Sequence, residues 1–216
     1  MAEIHETTLT PGKLELLSVW LPTRHWFAGA GSPALSKSGG FRLDDPDGAV
    51  GIEVMVVTDT AAGKPVTYLV PMTYRGAPQQ ELAEALIGTS EHGVLGTRWF
   101  YDAAHDPVFI EQAARLLSGH TAPQDQNLSD TPDPTVHGAV AEIRTPTAGF
   151  AATTIDTDDH TDIAYDSPRS RNAGAELLRV HRILVPGHAG SGRAHIEGPW
   201  CGPDQVILRG VFLSAP

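Results

Sequence analysis

The sequence predicts an α+β fold: an antiparallel β-sheet with packed helices, followed by a β-rich C-terminal part. Three observations carry this. Val50, Ile52, Val54 and Val56 alternate across Ala49–Thr58, and Val66, Tyr68, Val70, Met72 and Tyr74 alternate across the next segment. That two-residue period is the mark of a strand with one buried face. Helix signals sit before and after these strands rather than between every pair, which argues against a βαβ repeat. Hydrophobic residues make up 41% of the 216, enough for a true core, while 22 Gly and 17 Pro predict long irregular stretches.

Taken in order, Thr10 is expected to cap a short helix with Pro11 at its first position. Leu14, Leu17 and Leu21 then recur at helical spacing, and Pro22 stops the helix. The two alternating strands are joined by Asp59–Pro65, which contains Gly63, so they are expected to pair as an antiparallel hairpin. Pro71 cannot donate to a ladder, which places the second strand at an edge or at a bulge. Pro78 with Leu82, Ala85 and Leu86 predicts a short helix stopped at Gly88. Asp106-Pro107 opens another, with Phe109, Ala113, Leu116 and Leu117 on one face and Gly119 as its stop. Beyond residue 135 the expected strands are Val136–Arg144, Ala175–Leu184, Arg193–Ile196 and Gln205–Leu213. Thr121–Thr135 and Ile155–Asp166 are polar and rich in turn formers and are expected to be loops.

The formal charge of −11 is uneven. Between Thr121 and Ser170 nine acids face only Arg144 and Arg169. The chain is therefore expected to divide near residue 120, into 1–120 and an acidic-loop, β-rich part at 121–216. A net acidic chain with scattered cations has no electrostatic footprint for nucleic acid or anionic membrane. Cys201 is the single cysteine and cannot form an internal disulfide. The N-terminus, MAEIHETTLT, lacks a basic and an apolar signal region, and no run approaches 18 apolar residues. These features set the expectation of a cytoplasmic protein from a reducing compartment.

Several near-motifs fail their own mechanics. Gly29–Ala34 fits G-x-G-x-x-A, but no helix periodicity follows to offer free N–H groups to a pyrophosphate. Gly187–Gly192 has the spacing of a phosphate loop, yet Arg193-Ala194 stands where Lys and Ser/Thr would touch phosphate and Mg²⁺. Asp156, Asp158, Asp159 and Asp162 invite a calcium reading. The loop lacks the required Gly, and its twelfth position is Ser167 rather than Glu. A solvated acidic loop is expected, with an incidental weak cation site as the alternative. His181, His188 and His195 recur every seven residues, but across a strand and a Gly-rich turn. Cys201 lies in the constrained Pro199–Pro203 turn. There is no H-E-x-x-H and no G-x-S-x-G. Catalytic residues, cofactor and metal are therefore each expected to be none.

Two segments are more distinctive. Trp20–Gly29 reads W-L-P-T-R-H-W-F-A-G, and Gly93–Asp102 reads G-V-L-G-T-R-W-F-Y-D, continuing through Ala103 to Asp106-Pro107. Their order, with helix, paired strands and second helix, resembles the N-terminal cap domain of actinobacterial maltokinases over roughly Lys13–Gly119. The resemblance implies a curved, cystatin-like antiparallel sheet with a helix, placed ahead of a kinase fold that phosphorylates maltose in the trehalose-to-α-glucan route. A fainter likeness runs through Ser170-Arg171-Asn172-Ala173 and Leu177–Arg182 to Val185-Pro186-Gly187, similar to the first strands of the family's kinase N-lobe. There Arg179 stands where the family has a lysine contacting nucleotide phosphates, and a planar guanidinium does not replace an ammonium. The sequence ends at Pro216, before the lobe that carries the base and Mg²⁺ ligands of phosphoryl transfer. The expectation is a free-standing cap that is not a kinase on its own.

Trp20, Trp26 and Phe27 are expected mainly in the core, because aromatics are large apolar payload. The alternative is a partner surface, for which Trp and Arg are favoured. The candidate interaction surface is Arg24, His25, Trp26, Arg98, Trp99 and Tyr101. The leading expectation is a non-catalytic, cap-like accessory or interaction protein near maltose, trehalose or α-glucan metabolism, with a kinase or glucan-metabolism protein as partner. The alternatives are a small-ligand or glucan-binding module and, last, a glucan-active enzyme, which would need two convergent carboxylates on a larger scaffold.

Overall fold

The computed structural model describes residues 9–147, 149–166, 174–188 and 190–216. The fold is α+β and mainly antiparallel sheet. Strand β1 (Leu9–Thr10) precedes helix α1 (Lys13–Trp20), which is followed by a 3-10 turn, Leu21–Thr23. Then come β2 (Leu35–Leu43), β3 (Gly51–Asp59), β4 (Val66–Arg75), β5 (Leu86–His92) and β6 (Gly96–Asp102). Helix α2 (Pro107–Leu117) leads to β7 (His137–Ala139), β8 (Ala152–Asp156), β9 (His160–Tyr165), β10 (Glu176–His181), β11 (Ala194–Cys201) and β12 (Ile207–Ala215). The strand order is β1-β5-β6-β4-β3-β2-β11-β12-β10-β9-β8, with β7 beside β11.

The hairpin read from alternating valines is present: β3 and β4 pair antiparallel from Gly51↔Tyr74 to Asp59↔Val66. It is buried on both faces. Ile52, Val54, Val56 and Leu69 join a large core with Phe41, α2 and the inner sides of β9–β12. Met55, Val57, Tyr68, Val70 and Met72 face a smaller core under α1, with Leu17, Trp20, Leu21, Trp26 and Phe100. Helix α2 starts as expected: the Asp106 carboxylate accepts the Val108 N–H, and Gly119 adopts a left-handed φ of 71° at its end.

Several expectations are corrected. Thr10 ends β1, which pairs with β5, and the α1 cap is Gly12, whose N–H donates to Glu15. The Pro78–Gly88 helix is a 3-10 turn, Gln80–Ala85, and Gly88 lies in β5, where an added Cβ would meet Leu16 at 2.8 Å. Pro71 lies in an internal strand without a bulge in its pairing to β3. Its nitrogen points away from β3, like that of Leu69, and β6 pairs only from Met72 onward, so no ladder bond is lost there. Of Val136–Arg144 only β7 forms. Ala141 N–H leaves the sheet to bond Leu117 O, and Ser118 Oγ bonds Ile143 O, so this stretch closes the end of α2.

The loop expected over Ile155–Asp166 is instead most of the β8–β9 hairpin. Thr161, Ile163 and Tyr165 alternate inward, while the acids gather at the turn and on the outer face. Strands β2 and β6 were not anticipated. In β2 glycine is required by close approach: Gly40 has φ 123°, and a Cβ there would lie 2.0 Å from Val54 O.

Two junctions join the sheet into a closed circuit of hydrogen-bonded segments. One is Trp200↔Gly39, between β11 and β2. The other lies just beyond β10, where Leu69 N–H donates to Arg182 O and Leu184 N–H donates to Thr67 O along the half of β4 that β6 leaves unpaired.

Candidate functional site

The first distinctive segment is built as an aromatic stack. The 3-10 turn after α1 turns the chain sharply, with Thr23 Oγ1 donating to Trp20 O at 2.7 Å. Trp26 then packs edge-on against Trp20 at 5.8 Å and tilted against Tyr68 at 5.9 Å, and Phe27 stacks on Tyr68. The Tyr68 hydroxyl accepts the Ala28 N–H at 3.1 Å, and burial pushes this phenol up. Gly29 is where the chain passes the Phe27 ring, leaving 2.4 Å for a Cβ. It belongs to a loop followed by β2, not by a helix.

The second segment places its polar groups inside. The Tyr101 hydroxyl accepts the Gln79 N–H at 2.8 Å. Asp106, fully buried, accepts Thr73 Oγ1 at 2.7 Å, binds the Arg75 guanidinium with both oxygens and caps α2. Asp102 binds Arg182 Nη2 with both oxygens, at 2.8 and 2.6 Å. Arg182 is itself 0% exposed; its Nε donates to Thr161 Oγ1 at 2.7 Å, and its guanidinium lies 4.8 Å from the Trp26 ring. The two distinctive segments thus meet on one arginine from the far part of the chain.

The six residues of the expected interaction surface therefore separate. Trp26 and Tyr101 are core, 1% and 2% exposed, because both are wedged between strands and turns. Arg24 is half-buried, its guanidinium 4.9 Å over Trp20 and bonded to Thr23 Oγ1. His25 is exposed and reaches Asp158 at 3.1 Å. Arg98 and Trp99 are half-buried neighbours on β6, with Arg98 Nη1 donating to Thr97 O.

Sequence reasoning did not bring together a cleft of about 400 Å³ on the outer face of β9, β10 and β12. Asp159, His160, Arg179, His181, His188 and Ser214 supply its polar lining. Arg179 is held by Asp162 through two bonds, at 2.7 and 2.9 Å, which keeps that carboxyl below its usual range. His160 Nδ1 pairs with Asp159 at 2.6 Å, which lowers Asp159 in the same way. His181 Nε2 lies 3.0 Å from Ser214 Oγ. Burial, then Arg179, His188 and His160, push its pKa down to about 4, so it is neutral at pH 7. The seven-residue histidine spacing accounts for His181 and His188, whose rings are 6.1 Å apart, while His195 pairs with Glu197.

Cys201 closes β11, half-buried, just before the Gly202–Val206 turn. Among the described residues no group of three or more His, Cys, Asp or Glu is placed to hold a metal ion. Ser167 of the calcium reading and Ser170–Ala173 of the N-lobe likeness lie outside the described residues. No described helix is long and apolar enough to cross a membrane.

The class defined by these features is a β-rich α+β scaffold whose distinctive polar residues join its own parts. Residues 20–106 match the family described as the maltokinase N-terminal cap domain. The match begins at Trp20 and ends at Asp106, enclosing both distinctive segments. No curated protein matches the chain.

Proposed function

We propose that this protein is a non-catalytic, cap-like accessory or interaction protein of maltose, trehalose and α-glucan metabolism, working against a kinase or glucan enzyme. The observation that carries this reading is how the second distinctive segment uses its buried carboxylates: Asp102 and Asp106 are each bound to an arginine, leaving neither as a free acid or base. Arg179, at the place the resemblance gives to a phosphate-contacting lysine, is likewise committed to Asp162. In this reading residues 1–120 act as the cystatin-like cap and 121–216 as a β-rich subdomain similar to the start of a kinase N-lobe. The partner-facing residues are Arg24, His25, Arg98 and Trp99, which keep solvent exposure around the buried Trp26 and Tyr101.

The test is twofold. Purified protein with maltose and ATP is expected to consume no ATP, and sustained turnover would overturn the non-catalytic role. Affinity capture from native lysate is expected to retain a kinase or glucan enzyme; recovery of neither argues against the accessory role. A second reading, a small-ligand or glucan-binding module, is favoured by the 400 Å³ cleft with its planar polar side chains. Calorimetry with maltose, trehalose and glycogen decides it: heat with one of them supports a binding module, and no heat with any removes it.

A further inference from the structure

Trp26 and Asp102 lie within the matched stretch, but Arg182, which they hold, lies 76 positions beyond its end. A carboxylate buried among apolar side chains is costly unless paired, so Asp102 makes sense only with a cation seated on it. The site suits a guanidinium in particular. Both Asp102 oxygens take Nη2, Thr161 takes Nε, and the flat Trp26 indole lies 4.8 Å from the guanidinium carbon. Nη1 is buried without a hydrogen-bond partner, so the site is not a fully satisfied polar network but a fork and a stacking face.

The backbone around Arg182 adds a strand-like contact. Leu69 N–H donates to Arg182 O at 2.9 Å, Leu184 N–H donates to Thr67 O at 2.9 Å, and Tyr68 bridges Ile183. This half of β4 is not paired by β6, whose pairing to β4 begins at Met72. A strand edge beside an arginine socket is the geometry by which sheets take up extended segments, with backbone bonds giving affinity and a pocket giving specificity.

We propose that the half-edge of β4 that β6 leaves unpaired, Thr67–Leu69, with the Trp26 ring and the Asp102 carboxylate, is a docking groove for an arginine-bearing extended segment. The chain's own Arg182–Leu184 occupies it. The two most distinctive stretches of the chain are thus the recognition element that selects the segment closing the circuit after β10. This goes beyond the accessory function and stands whether or not a separate partner is found.

The test empties the socket in the full chain and refills it with a small probe. In Arg182→Ala, propylguanidinium is expected to raise the thermal unfolding midpoint, while propylammonium at equal concentration does not. In the double variant Arg182→Ala/Asp102→Asn, propylguanidinium is expected to give no rise, and in the unaltered protein it has no vacant socket to fill. If Arg182→Ala does not fold unaided, refolding in propylguanidinium but not in propylammonium carries the same conclusion. Arg182→Lys, which keeps the charge but loses the fork, is expected to unfold at a lower temperature than the unaltered protein. Equal response to the two probes, no response to either, or full stability of Arg182→Lys would overturn the proposal.

Discussion

The two junctions that close the sheet circuit are made by opposite physics. At β2–β11 the contact depends on the absence of a side chain: Gly39 lets the Trp200 backbone approach, with 3.1 Å left between a would-be Cβ and Pro199 O. Behind it, in the large core, Phe212 stacks on Phe41 and packs at a tilt against Trp200, each with ring centroids 6.2 Å apart. At β4 the junction is a buried ion pair, Arg182–Asp102, under an indole. Apolar contact is non-directional and tolerates repacking, whereas a buried charge tolerates one partner in one geometry. The first junction therefore supplies burial, and the second fixes which segments meet.

The largest predicted effect breaks the charged junction from one side. Asp102→Ala leaves Arg182 buried and uncompensated and is expected to cost about 3–5 kcal/mol, measured by urea unfolding. At the apolar junction, Gly39→Val forces bulk against the Pro199–Trp200 backbone, with an expected cost of about 1–3 kcal/mol in the same measurement.

A third, smaller effect is pH-dependent. His181 is held near pKa 4 in the fold against about 6.5 in an unfolded chain, so between these values only the unfolded state takes up the proton. Its contribution is present above pH 6.5 and is lost as pH falls toward 4, by at most about 1.4 kcal/mol per pH unit. His181→Gln is expected to flatten stability in that window. Asp159 and Asp162, whose pKa values are lowered, lose their contribution only at still lower pH. The smallest effect comes from Arg24, His25, Arg98 and Trp99: alanine at Arg24 or His25 is expected to shift stability by only about 0.5 kcal/mol. All four substitutions together are expected to reduce partner capture.

What the sequence disclosed follows the same contrast. The β3–β4 hairpin and α2 were legible because local patterning decides them: alternating valines in one case, Asp106-Pro107 and Gly119 in the other. Strand β2 was not, because Leu35–Leu43 is a strand only through neighbours that need its glycines. Strand β9 was hidden by its acids, although Thr161, Ile163 and Tyr165 already stood two apart. The aromatic cluster of Trp20 and Trp26 was legible as core, but its arginine was not, since nothing local to Arg182 points to Asp102 eighty residues away. The cleft histidines were similarly dispersed until β10 and the 182–192 connection brought His181 and His188 together.

The central claim is that the buried acid of the matched segment exists to hold the arginine that follows β10. A double-mutant cycle between Asp102→Asn and Arg182→Met, read by urea unfolding of the full chain, tests it most directly. The account predicts strong non-additivity, with a coupling of about 2–3 kcal/mol and the double variant losing little more than the worse single one. Additivity to within about 0.5 kcal/mol would contradict it.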